Sequence, residues 1–152
     1  MKRYNLINNI LGWVCFAIAA TTYLLTIEPT ASFWDCPEFI SQGYKLEVGH
    51  PPGNPIFMLT ARFFINFVGS EPGSVAMAVN SMNALLSAAT IMLLFWTVTY
   101  LTRRLISRRD EVLSEAKTVI CKGAGLVCAL AYAWMHSVGR RSYRLNEIER
   151  VQ

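Results

Sequence analysis

Residues 74–101 read SVAMAVNSMNALLSAATIMLLFWTVTYL, and the charge-free run that contains them extends from Pro72 to Thr102, 31 residues. About 20 apolar residues in a helix suffice to cross a bilayer. This stretch therefore reads as a membrane span, and the rest of the chain is organised around it. Directly after it stand Arg103, Arg104, Arg108 and Arg109, where the positive-inside rule places cytoplasmic cations.

Two further blocks have the same character. Tyr4 to Ile27 carries no charge over 24 residues, and Gly123 to Gly139 carries none over 17. The chain of 152 residues is 53% hydrophobic and only 16% charged, with a mean hydropathy of +0.33. A soluble domain averages nearer a quarter charged, so a soluble globular enzyme is excluded. The net charge of +4 sits beside the spans, at Lys2 and Arg3 as well as at the arginines, so it sets orientation and does not point to nucleic acid. Three of the four cysteines (Cys15, Cys121, Cys128) lie inside apolar blocks, where Cys behaves as a small hydrophobe. Cys36 is the exception, and no Cys or His spacing suits a metal.

The spans are expected at about 10–27, 74–101 and 118–135, with the N-terminus inside. Between the first two lies the polar part of the chain. Residues 28–74 hold Glu28, Asp35, Glu38, Glu47 and Glu71 against Lys45 and Arg62, and this topology puts them outside. Within it, residues 55–68 form an apolar helix with Arg62 at its centre. An arginine at mid-bilayer costs at least ~2.5 kcal/mol, so this helix is expected flat on the outer surface, with Ile56, Leu59, Phe63 and Phe67 on one face toward the lipid or the bundle. Arg62 is expected to reach headgroups or a loop carboxylate.

Two pieces of the outer loop have local logic. In Phe33-Trp34-Asp35-Cys36-Pro37-Glu38-Phe39, Asp35 can cap a helix, with Pro37 in the first turn and Glu38 three residues on as a capping box. The same carboxylates can equally face a cleft, one as general base. Gly49-His50-Pro51-Pro52-Gly53-Asn54-Pro55 cannot continue a helix. It is either a rigid turn with a solvated His50, or a stiff support holding His50 against a phosphate.

In this order the pieces resemble the N-terminal portion of GT-C-type glycosyltransferases, polytopic enzymes that use polyprenyl-phosphate sugars. The nearest resemblance is to a bacterial family of protein O-mannosyltransferase-like membrane proteins of unknown function. It is carried by Trp34 to Phe39 and by Lys45-Leu46-Glu47-Val48-Gly49-His50-Pro51-Pro52-Gly53. The resemblance implies an all-α polytopic fold, a lipid-linked sugar as donor with no cofactor in the chain, an acceptor protein or glycan, and a bacterial inner membrane. It leaves a divalent metal undecided. It implies Asp35 as the base that deprotonates an acceptor hydroxyl, with Glu38 assisting or orienting it. Lys45 and His50 are candidates to neutralise the leaving phosphate.

The resemblance covers residues up to 133. Residues 134–152 read as a polar tail outside the family pattern, as from a truncated or frameshifted reading frame, and catalysis by this chain alone is not expected. The competing reading is a small non-catalytic membrane scaffold whose aromatic, proline-rich loop docks a partner.

Overall fold

The computed structural model describes residues 2–28, 30, 35–50, 54–106 and 114–151, with side chains described from residue 3 to residue 135. Trp34, Pro51 to Gly53 and the pair Arg108 and Arg109 lie outside the described residues. The described elements are all helices: α1 (Lys2–Leu25), α2 (Cys36–Lys45), α3 (Pro55–Ile65), α4 (Pro72–Ile106) and α5 (Glu115–Val151). Three stretches are long and apolar enough to cross a membrane, Arg3–Leu25, Pro72–Ile106 and Glu115–Met135. The chain is an all-α, multi-pass membrane protein.

Helix limits run beyond the expected ones. α1 starts at Lys2 and not near Ile10, because Asn5, Asn8 and Asn9 are uncharged and helix-compatible. α5 continues to Val151. No proline interrupts residues 136–151, and the lone Gly139 costs a helix only about 1 kcal/mol.

The chain forms two compact units. The first, residues 1–23 and 87–152, is built on small side chains. Ala19, Ala88, Ala129, Cys15 and Cys121 are buried, with Ile91, Phe95 and Thr99. A Cβ on Gly125 would stand 3.0 Å from the Phe95 ring, so α4 and α5 approach as closely as a glycine permits. Close backbone approach is how helices gain contact in lipid, where apolar burial alone supplies no drive. Trp13 and Trp96 meet edge to face at 6.5 Å, and Trp96 Nε1 donates to the Asn8 carbonyl at 3.4 Å. Leu6, Ile10, Leu93, Leu101, Val127 and Leu130 are exposed, as lipid-facing positions should be. Arg103 and Lys122 stand over the Tyr4 ring at 4.9 and 5.0 Å.

The second unit, residues 24–86, carries the polar loop. Its core joins Ile40 of α2 and Ala61 and Ile65 of α3 with Val75, Ala76, Ala78, Val79 and Met82 of α4. Asn80 donates from α4 to the carbonyls of Glu28 (2.9 Å) and Thr30 (3.1 Å), tying down the segment after α1. On α3, Met58, Ala61 and Ile65 are buried, while Ile56, Leu59 and Phe63 share the exposed side, and Phe67, past the end of the helix, is exposed as well.

Candidate functional site

The site is built on one face of α2. Helical spacing puts Asp35, Glu38, Phe39 and Gln42 side by side. Pro37 occupies the first turn, where its missing N–H costs nothing. Asp35 holds the N-cap position and its carbonyl accepts from the Phe39 N–H at 3.0 Å. Its side chain makes no capping bond, so the capping box is not formed. The cause is local. Asp35 has helical dihedrals (φ −79°, ψ −4°) where a capping residue has extended ones, and Glu38 is engaged elsewhere.

The other end of α2 turns the chain back. Leu46 adopts the left-handed conformation (φ 57°), its N–H bonding the Gln42 carbonyl, and the Glu47 N–H reaches the same carbonyl at 3.3 Å. This is the helix ending usually entrusted to glycine. It sends residues 47–50 back along α2. Gly49 comes to lie against the Gln42 carboxamide, so close that a Cβ there would have to displace that side chain, and His50 Nδ1 arrives 2.6 Å from Glu38 Oε1. Gln42 Nε2 donates to the same oxygen at 2.5 Å.

Asp35, Glu38, Phe39, Gln42, Gly49, His50, Asn54 and Met58 line one cleft of about 140 Å³. Ligand pockets usually measure ~300–1,000 Å³, so the cleft is smaller than a pocket that encloses a whole ligand. Phe39 and Phe57 pack edge to face at 5.6 Å behind it. The hydrogen bond from His50, seconded by Gln42, holds the Glu38 carboxyl below the usual carboxylate range against an opposing push from desolvation. The His50 side chain is 84% exposed and that of Glu38 33%, so the pair faces water and is screened by salt.

Of the four residues singled out from sequence, Asp35, Glu38 and His50 come together. Lys45 does not: it pairs with Glu47 at 3.6 Å, both side chains exposed, away from the cleft lining. Among the described residues Arg62 pairs with no carboxylate. Its Nη1 donates to the Tyr44 carbonyl at 2.6 Å, and its guanidinium lies over the Tyr44 ring at 5.3 Å. The last carbonyls of a helix lack partners and carry negative partial charge, so the end of α2 draws the cation. α3 can deliver it because Gly43 of α2 packs directly on Ala61. Gln42 went unnoticed in the sequence; its position four residues after Glu38 on a helix was the available signal. No group of three His, Cys, Asp or Glu suited to a metal occurs among the described residues.

Residues 35–146 match the family model described as the N-terminal domain of protein O-mannosyl-transferase TMEM260. A mouse protein named protein O-mannosyl-transferase TMEM260 is 31% identical over 133 residues, covering 88% of this chain and 17% of the mouse protein. A Dictyostelium discoideum protein of the same name is 28% identical over 83 residues, 55% of this chain and 10% of that protein. No solved structure matches. These relatives are eukaryotic, so the O-mannosyltransferase part of the expected resemblance is supported and its bacterial part is not. The matched stretch begins at Asp35, the first cleft residue, and runs past Ala133. The chain belongs to the protein O-mannosyl-transferase TMEM260 N-terminal domain family, and it is a glycosyltransferase-like membrane protein.

Proposed function

We propose that the cleft lined by α2, Gly49, His50 and Asn54 is one wall of a GT-C-type glycosyl-transfer site. It takes a sugar, mannose by the relatives' name, from a polyprenyl-phosphate donor to a protein hydroxyl on the non-cytoplasmic side. The observation that carries this reading is the convergence of Asp35, Glu38 and His50 on a single cleft in a chain of this family. Asp35, free of a capping bond, accepts the hydroxyl proton. The alkoxide oxygen attacks the anomeric carbon, the bond from that carbon to the phosphate oxygen breaks, and the lipid phosphate leaves with the electron pair. His50, held by Glu38, faces the phosphate and, in its imidazolium form, donates to it from Nε2 and offsets its charge. General-base catalysis of this kind contributes about 10²–10⁴ in rate.

This chain spans 17% of the mouse relative's length, and the transfer is proposed for a protein that supplies the remaining walls. The test uses a full-length family member, purified, with a Ser/Thr peptide as acceptor. Transfer from polyprenyl-phosphate mannose and none from a nucleotide-linked mannose supports the reading. Transfer from the nucleotide sugar alone overturns it.

A further inference from the structure

Gln42 is a polar residue 6% exposed, in a helix whose other inward positions are apolar or glycine, at Ile40 and Gly43. A buried carboxamide costs free energy unless its hydrogen bonds are made. Its nitrogen makes one, to Glu38 Oε1. The orientation of the amide follows from the chemistry: an ionised carboxylate only accepts, so the NH₂ edge must face it. The oxygen edge then lies against Gly49, where any side chain would collide with it.

Two consequences come from this placement. Gln42 and His50 both bond Oε1 of Glu38, so the same carboxylate oxygen holds both side chains. The Gln42 carboxamide also seats Gly49, the residue before His50, so it acts on both members of the pair. We propose that Gln42 is a positioning residue. Its carboxamide fixes the rotamer of Glu38 and the approach of residue 49, and thereby holds the His50 ring with Nδ1–H on Glu38 and Nε2 toward the open side of the cleft. This rests on the reading of the cleft as a transfer site, since it is there that the outward Nε2, once it carries a proton, donates to the leaving phosphate. The titratable groups lining the cleft are Asp35, Glu38 and His50; Asn54 and Met58, from the α3 side, do not titrate.

The test is the tautomer of His50 in the full 152-residue chain, in micelles at pH 8, read from the ¹⁵N shifts of its ring, with His136 assigned by a His136→Gln variant. An imidazole with no such partner favours Nε2–H in water; donation to ionised Glu38 requires Nδ1–H. The wild-type ring should be mainly Nδ1–H. Gln42→Met, unbranched and of similar length, and Gln42→Leu both keep the space filled while removing the donor. Each should lower the Nδ1–H to Nε2–H ratio several-fold with helicity unchanged, and Glu38→Ala should abolish the Nδ1–H preference. If both Gln42 variants keep the wild-type ratio while Glu38→Ala loses it, Gln42 positions nothing and the transfer reading stands. If Glu38→Ala also keeps it, the Glu38–His50 pair is absent, and the proposal falls with it.

Discussion

Gly43→Ala is the substitution on which two physical arguments disagree in sign. Helix propensity alone says that replacing a mid-helix glycine stabilises α2 by about 0.5–1 kcal/mol. The structure says the reverse. A Cβ at Gly43 would stand 2.9 Å from the Ala61 Cβ, where carbons prefer about 3.5–4 Å, and Ala61 is fully buried. The two helices must part by at least about half an ångström, and overpacking of this kind costs about 1–3 kcal/mol. The net expectation is a loss of roughly 0.5–2 kcal/mol. Native-state hydrogen exchange of α2 and α3 amides in micelles reads it as local opening, faster by roughly 2- to 30-fold. Gly43→Ala combined with Ala61→Gly exchanges the two residues across the contact, so the propensities cancel and the clash is gone. Exchange should return to within about twofold of wild type, a coupling that only contacting residues show. Slower exchange in Gly43→Ala alone would refute the close packing of α2 on α3.

Arg62→Met removes a charged hydrogen bond and a ring contact at the end of α2. It should cost about 1.5–3 kcal/mol, as for a hydrogen bond from a charged group, Arg62 being partly buried. Exchange at α2 amides near Tyr44 measures it, and Arg62→Lys should recover only part because an ammonium lacks the planar fork. The Glu38 carboxyl is held below its ordinary value by the His50 bond. Its folded value is thus lower than its unfolded one, so the stabilisation is complete above the ordinary carboxylate range and disappears as the pH falls through the lowered value. Side-chain ¹³C titration should show that midpoint rising toward the ordinary range in His50→Ala, and an unmoved midpoint would remove the pair. For topology, cysteines placed at Ser41 and Ser114 in a background lacking the native four should be labelled at 41 and not at 114 by an impermeant reagent added from the non-cytoplasmic side. The opposite pattern would invert the orientation.

The spans were legible because a charge in hydrocarbon is costly whatever the tertiary structure, and uninterrupted apolar runs reveal that cost directly. Their ends were less legible. Asn5, Asn8 and Asn9 are polar enough to look like a boundary, yet nothing in them stops a helix, and α1 includes them. In the site, Asp35 and Glu38 stood out as an acidic pair at a helix start. The partner of Glu38 depended on geometry that no local preference announces. His50 reaches it across twelve positions only because Leu46 takes a left-handed conformation that branched and bulky residues rarely adopt. Lys45 illustrates the converse. It lies in the motif, but at the last position of α2 its side chain falls beside Glu47 and off the cleft face. Arg62 is a similar case: its partner is a carbonyl presented by a neighbouring helix and not a loop carboxylate.

The central claim is that Asp35 acts in chemistry and not as a helix cap. Asparagine is nearly isosteric with aspartate and equally suited to an N-cap position, and the carboxylate makes no capping bond here, so Asp35→Asn should leave folding and membrane insertion unchanged. The decisive measurement is the rate of sugar transfer from polyprenyl-phosphate mannose to a Ser/Thr peptide by a full-length family member carrying Asp35→Asn, at matched amounts of inserted protein. A fall of about 10²–10⁴-fold, the loss expected for a general base, is predicted. A variant as fast as wild type would contradict the assignment.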